Sequence, residues 1–242
     1  MSAKPLSENV WLLEQSWGEI GYDQALEKQK SLTRQGRCGW LLFAPKPTIT
    51  LGRRAQSSDV LLTTEQLAQK GCAVLQTDRG GQVTYHGPSQ CVGFPVGTLE
   101  QFTGDPRGVR AFIQKLQTVL IEVLAPILEG RIQLRCSDDG AKAGIWLSLE
   151  SDCDDGSNTS HKLVAFGMKF SREGISHGFA INLWPDDGFD WINPCGDPGT
   201  KPAFLFQTPP SQQELRSLLL NLSQGLIEAW ITVSSDPARS HY

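Results

Sequence analysis

One stretch limits what this chain can become more than any other: RGGQVTYHGPSQCVGFPV, residues 79–96, puts two glycines, an arginine and a Tyr-His-Gly-Pro turn inside a run that otherwise reads as strand. Glycine lets a ligand lie directly against main-chain N–H groups, because no Cβ stands in the way. Thr84, Tyr85 and His86 then add a hydroxyl, a phenol and an imidazole just before the proline-containing turn. The pattern describes a pocket wall with polar groups at its rim. Taken alone, Arg79-Gly80-Gly81 reads equally well as a charged turn before a strand.

Strand and helix patterns alternate around this wall. Val10 to Leu13 reads as a short strand and Tyr22 to Leu32 as an amphipathic helix, and the segments GWLLFAP and TITLGR read as strands broken by Pro45 and Pro47, with a hairpin expected between them. Thr63 with Gln66 has the form of a capping box, predicting a short helix through Gln69 that Gly71 stops. CAVLQTD returns as a strand. Asp105-Pro106 is expected to supply the N-cap and first-turn proline of a helix whose apolar residues recur from Val109 to Ile127 at three- and four-residue spacing. GIWLSLE, KLVAFGMKF and HGFAINLW predict three further strands, the first two separated by a polar, acidic surface loop over residues 150–161. Ser211 and Glu214 form a second capping box, ahead of a leucine-striped helix through Leu226. There is no internal repeat and no long linker, so one domain is expected over residues 1–242.

A chain of 242 residues with 39% hydrophobic content can bury a sizeable core. Its net charge of -4, with no long block of one sign, argues against a general electrostatic grip on nucleic acid or anionic lipid. No apolar run approaches the roughly 18 residues of a membrane helix, and Met1 to Asn9 lacks the apolar core of a secretory signal, so a cytoplasmic location is expected. The six cysteines show no CxxC pair and no zinc-like spacing with histidine, and a metal site is not expected.

A lone histidine is more often structural than catalytic, which is the reading for His161 and His241. His86 and His177 differ, since each precedes glycine at the edge of a strand-like run and both could face a common cleft. Cys38, Cys72, Cys91, Cys136 and Cys153 read as reduced, unreactive thiols. Cys195, in INPCGDPG, stands on a sharply turned main chain whose N–H groups could meet an oxyanion, although Pro-Cys-Gly is also an ordinary turn.

TLGRR (50–54), RGGQVTYHGPSQ (79–90), GIWL (144–147), KLVAFGMKF (162–170), HGFAIN (177–182) and INPCG (192–196) together resemble the lipoyl(octanoyl) transferase family. The resemblance covers roughly residues 10 to 200. It implies an α/β (α+β) fold shared with biotin and lipoate protein ligases, a mixed and largely antiparallel sheet flanked by helices. It implies an acyltransferase that moves an octanoyl group from acyl carrier protein to a lysine on lipoyl domains of 2-oxoacid dehydrogenases and the glycine cleavage H protein, with no cofactor. By the same resemblance Cys195 is the acyl-thioester nucleophile and Lys162 the catalytic lysine. Substrate-binding positions fall on Arg79, Gly80, Gly81, Gln82, Val83, Thr84, Tyr85 and His86, on Ala165, Phe166 and Gly167, and on His177, Gly178, Phe179 and Ala180. Ser89 and Cys91 replace the family's usual glycine and leucine-like residue, and GDPGTKPAF after Cys195 is not the usual sequel. An ATP-dependent ligase on the same fold and a non-catalytic acyl-carrier-binding protein are the competing readings.

Overall fold

The computed structural model describes residues 3–7, 10–13, 20–128, 132–137, 143–149, 160–194 and 201–231. In chain order its elements are β1 (Ala3–Ser7), β2 (Val10–Leu13), α1 (Tyr22–Arg34), β3 (Gly39–Phe43), β4 (Thr48–Leu51), α2 (Thr64–Gln69), β5 (Ala73–Gln76), β6 (Val83–His86), β7 (Gln90–Val96), α3 (Leu99–Thr103), α4 (Val109–Leu124), β8 (Ile132–Ser137), β9 (Gly144–Leu149), β10 (Ser160–Ser171), β11 (Gly174–Asn182) and α5 (Gln212–Ile231). They form an eight-stranded sheet in the order β1-β2-β3-β7-β11-β10-β9-β8 and a three-stranded sheet in the order β5-β4-β6. Every pairing is antiparallel except β2 with β3 and β4 with β5. The fold is therefore mixed α/β with a largely antiparallel sheet, as the resemblance implied.

Strands β3 and β7 are buried at every position because both faces of the large sheet are covered. In β3, Trp40 and Leu42 point to one core with Leu116, Leu120, Leu218 and Leu222 of α4 and α5, whereas Leu41 and Phe43 point to the other core with Tyr22, Ala25 and Leu32 of α1. Strand β7 divides the same way, Cys91 to the first core and Val92, Phe94 and Val96 to the second. Each leucine, valine and phenylalanine among them contributes roughly 1.5–3 kcal/mol by leaving water. The small sheet has its own core of Ile49, Val83, Tyr85, Leu67, Cys72 and Ile192.

Several expectations are corrected here. No hairpin joins the GWLLFAP and TITLGR segments, because β3 lies in the large sheet and β4 in the small one. The stretch 79–96 likewise divides, β6 going to the small sheet and β7 to the large one across Gly87-Pro88-Ser89. Asp105 does not cap α4. Its carboxylate accepts from Arg107 N–H within a turn, and Gly108 is the N-cap. Helix α3, with a complete Thr98/Gln101 capping box, and strands β1 and β8 add to the elements expected. Ser160 and His161 belong to β10, so that strand begins inside the expected loop, whose residues 150–159 lie outside the described ones. Val109–Leu128 is long and apolar enough by composition to cross a membrane, although charged residues interrupt it. Its Phe112, Leu116 and Leu120 are fully buried in the core beneath the sheet.

Strands β7 and β11 approach so closely that a Cβ built on Gly178 would overlap the carbonyl oxygen of Gly93. Gly178→Ala is expected to destabilise the chain by about 3 kcal/mol. Gly36→Ala, in open space but at a positive φ of 73°, is expected to lose only about 1 kcal/mol. Urea denaturation of the two variants checks the order.

Candidate active site

The glycine loop before β6 is shaped by the arginine that begins it. Arg79 is only 4% exposed. Its Nε donates to Thr50 Oγ1 at 3.0 Å, Nη2 to Thr50 O and Gln82 O at 2.7 Å each, and Nη1 to Gly80 O at 2.9 Å. Gly80 N–H in turn donates to Met168 O at 3.3 Å, fastening the loop to β10. Arg79 faces a cavity with part of its side chain, but Gly80, Gly81 and Gln82 serve as loop backbone and line neither of the site's two cavities.

Where the chain passes from β6 to β7, two polar relays begin. In the first, Gln90 Nε2 donates to Asn182 Oδ1 at 2.8 Å and Asn182 Nδ2 donates to Lys162 O at 3.1 Å, with both side chains buried. In the second, the hydroxyls of Tyr85 and Ser89 donate to the two carboxylate oxygens of Asp186, at 2.9 and 2.8 Å. Burial, with the Asp186 charge beside it, pushes the Tyr85 phenol up. Sequence reasoning did not single out Asn182 or Asp186. Asn182 ends the quoted HGFAIN, and Asp186 reads simply as an acid in a turn.

Lys162 is aimed by an irregularity in its strand. Lys162 lies opposite Trp146 and Val164 opposite Ile145, so the register slips and Leu163 is a bulge, a device that redirects neighbouring side chains. The Lys162 side chain is 8% exposed, with Nζ 4.5 Å from the centre of the Trp146 ring. The chain after Cys195 returns to the same place: Lys162 N–H donates to Lys201 O at 3.0 Å, and Ala203 N–H to Lys162 O at 2.9 Å. Lys162, Lys201, Pro202 and Pro194 share a cavity of about 410 Å³, counted to its mouth, with Val83, Thr84, Tyr85 and Ala165. Cys195 lies outside the described residues, immediately after Pro194.

A second cavity, about 290 Å³, adjoins the first, since Thr84 and Ala165 line both. Its walls include His86, Phe166, Gly167, Gly178, Phe179 and Ala180, together with Tyr22, Val92 and Phe94 from the α1 side of the sheet. Ile145 of β9, opposite Val164, lines neither cavity and is fully buried in the main core.

The two His-Gly histidines have different surroundings. His177 is 0% exposed and lines neither cavity: Nδ1 pairs with the Tyr22 hydroxyl and Nε2 with Asp78 Oδ1, both at 2.9 Å. Its backbone has a φ of 62°, a strained value for a non-glycine residue, and Gln29 of α1 holds it there by bonding both its N–H and its C=O. Asp78 is held at about 2 by hydrogen bonds from Lys169 and His177. His86, by contrast, faces the 290 Å³ cavity with no hydrogen-bond partner on either ring nitrogen. The Gln90 amide is near enough to favour its charged form slightly, but bonds instead to Tyr85 O, Asn182 and Gly87 N–H. Burial first, then the Arg79 charge, hold His86 down at about 3, so it is a neutral imidazole, tilted against the Tyr22 ring at 4.9 Å. Burial also raises the thiols of Cys38, Cys72 and Cys91, pushing Cys91 up to about 12 and Cys72 to about 11, which keeps them protonated. Among the described residues no group of His, Cys, Asp or Glu gathers where a metal ion could be held.

Residues 21–196 match the lipoyl protein ligase A/B catalytic domain. An octanoyltransferase of Chloroflexus aurantiacus is 38% identical over 186 residues, covering 74% of this chain and 76% of that protein. One from Acidobacterium capsulatum is 35% identical over 189 residues, covering 74% and 73%. Among solved structures, lipoate-protein ligase A bound with ATP superposes with a TM-score of 0.63 at 14% identity, covering 91% of this chain and 84% of that one. A bipartite lipoate protein ligase of Thermoplasma acidophilum gives 0.55 at 12% identity, covering 91% and 82%. At such identities these structures speak to the fold.

A histidine whose folded pKa lies below its unfolded value of about 6.5 takes up a proton on unfolding, so it removes stability as pH falls from there toward the folded value. For His86 that window runs from about 6.5 to about 3. Across it, His86→Gln is expected to flatten the fall in unfolding free energy by up to about 1.4 kcal/mol per pH unit. Denaturation titrations at a series of pH values measure the slope.

Proposed function

The chain belongs to the octanoyltransferases of the lipoyl protein ligase A/B catalytic domain family, and on that premise we propose that it moves an octanoyl group from acyl carrier protein to a lysine amine on lipoyl domains, through a thioester on Cys195. The observation that carries this reading is that Lys162 and Pro194, the neighbour of Cys195, line one cavity that shares the walls of Thr84 and Ala165 with a second one lined by Phe94, Phe166 and Phe179. A thiol and an amine brought to one wall can exchange a proton, which is what two successive acyl transfers require.

A free thiol of pKa about 8.5 is a few per cent thiolate at neutral pH, so a cation beside Cys195 raises the reactive fraction. Its thiolate attacks the octanoyl thioester, the carrier's sulfur leaves, and the Lys162 ammonium gives that sulfur a proton. Lys162, now an amine, takes a proton from the acceptor lysine, whose ordinary pKa of about 10.4 otherwise keeps it unreactive. That lysine's nitrogen attacks the enzyme thioester, Cys195 leaves as thiolate, the nitrogen sheds its second proton to solvent as the amide forms, and the starting charge pair is restored. Thioester to amide is downhill, so the cycle closes without an energy source.

The octanoyl chain occupies the cavity walled by Phe94, Phe166 and Phe179. Burying eight carbons yields roughly 5 kcal/mol at about 0.8 per methylene, and one methylene more or less discriminates only about 10- to 200-fold. Thr84, on the wall common to both cavities, is the side chain placed to steady the carbonyl oxygen as charge develops on it.

Octanoyl carrier protein without ATP is expected to label a lipoyl domain, and free octanoate with ATP is not. Labelling by the second pair alone would establish a ligase. Mass spectrometry is expected to find a hydroxylamine-sensitive octanoyl adduct that Cys195→Ser abolishes. Tight ligand binding with no adduct would establish a non-catalytic carrier. Lys162→Ala is expected to slow both half-reactions by roughly 10²-fold or more, as read by single-turnover kinetics of each.

A further inference from the structure

Asp186 takes no part in the chemistry just described, yet it joins the sheet crossing to the connection that leads to Cys195. Its Oδ1 accepts from the Tyr85 hydroxyl and from Gly188 N–H, each at 2.9 Å, and its Oδ2 accepts from the Ser89 hydroxyl at 2.8 Å. Tyr85 belongs to β6 and Ser89 immediately precedes β7, so one carboxylate fastens both sides of the crossing to the start of a 3₁₀ turn, Asp187–Trp191. That turn closes on the Tyr85 ring, which Phe189 and Trp191 meet edge-on at 5.4 and 5.6 Å. Beyond it the chain is tied down again. Leu61 N–H donates to Trp191 O at 2.9 Å, Ile192 bridges Val60, and Asn193 N–H donates to Asp59 O at 2.8 Å. Pro194, on the wall of the Lys162 cavity, follows at once.

We propose that Asp186 is a positioning residue for the nucleophile: through Tyr85, Ser89 and Gly188 it fixes the turn that carries the chain to Pro194, the neighbour of Cys195, on the wall of the Lys162 cavity. Serine at 89 supplies one of the three donors, which glycine there would lack. The proposal rests on the reading of Cys195 given above, and it adds a residue to that site by way of the main chain rather than by contact with substrate.

The test uses the full chain with Asp186→Ala, Asp186→Asn and Tyr85→Phe. Two rates are read: alkylation of Cys195 by iodoacetamide at neutral pH, followed on its own peptide by mass spectrometry, and single-turnover octanoylation across donor concentrations. Asp186→Ala is expected to lower both the alkylation rate and the saturating octanoylation rate about ten-fold or more. The half-saturating donor concentration should stay within about two-fold of wild type, because the acyl cavity is not touched. Asp186→Asn keeps an amide oxygen for Tyr85 and Gly188 and should recover most of both rates. If Asp186→Ala fails to fold, Tyr85→Phe, which keeps the packed ring, carries the test with an expected loss of about five-fold, the worth of one hydrogen bond. Folded variants with wild-type rates, or a loss confined to the half-saturating concentration, would overturn the proposal. A wild-type chain that is alkylated at Cys195 but never octanoylated would instead overturn the thioester reading, and the alkylation rates alone would then judge Asp186.

Discussion

The site depends on how the chain leaves one sheet and enters another at Gly87-Pro88-Ser89. Backbone groups at such a crossing lose their ladder partners, and buried ones must find others. Gly87 N–H finds Gln90 Oε1 at 3.3 Å, Gln90 N–H finds Gly87 O at 3.1 Å, and Ser89 O finds Leu183 N–H at 2.8 Å. The side chain of Gln90 then spends its remaining donors on Tyr85 O and Asn182, which reaches the carbonyl of Lys162. Satisfying the crossing and orienting the lysine are thus one set of hydrogen bonds. A half-made version of such a network would be worse than none, because each unpaired buried group carries its full desolvation penalty.

Much of this was legible because periodicity and capping are local. The helices opened by Thr63 and Ser211, and the strands around Lys162 and His177, stand where their residues ask them to. Helix α3 obeys the same capping rule at Thr98 and Gln101 and was there to be read. Sheet membership was not legible, since β3 and β4, or β6 and β7, look alike as apolar runs until it is known what covers each face. Nor was the bulge at Leu163, because Lys-Leu-Val reads as ordinary strand and only the pairing with β9 exposes the slip. Asp186 was hidden for another reason: its partners, Tyr85 and Ser89, are distant in sequence, so an acid in a Pro-Asp-Asp-Gly turn looks like any solvated one.

His86 and His177 show how little a dipeptide decides. Both precede glycine in a strand-like run, yet His177 is bonded through both ring nitrogens and through its own peptide groups to α1, whereas His86 keeps two buried nitrogens unpaired beside a cavity. The first is bracing, and the left-handed backbone it occupies is stabilised by Gln29. The second is a group whose desolvation penalty, about 1–3 kcal/mol when unmatched, is relieved by whatever polar atom comes to lie against it.

Thr84 and Ala165 belong to both cavities, so under the proposed acyl-transfer reading the choice of substrate and its transformation draw on one wall. A bulkier side chain at either position would narrow the fatty compartment and shift the reacting carbonyl in one stroke. Chain-length preference and turnover are for that reason inherited together, and a lineage adapting one of them would drag the other along until a third residue compensated.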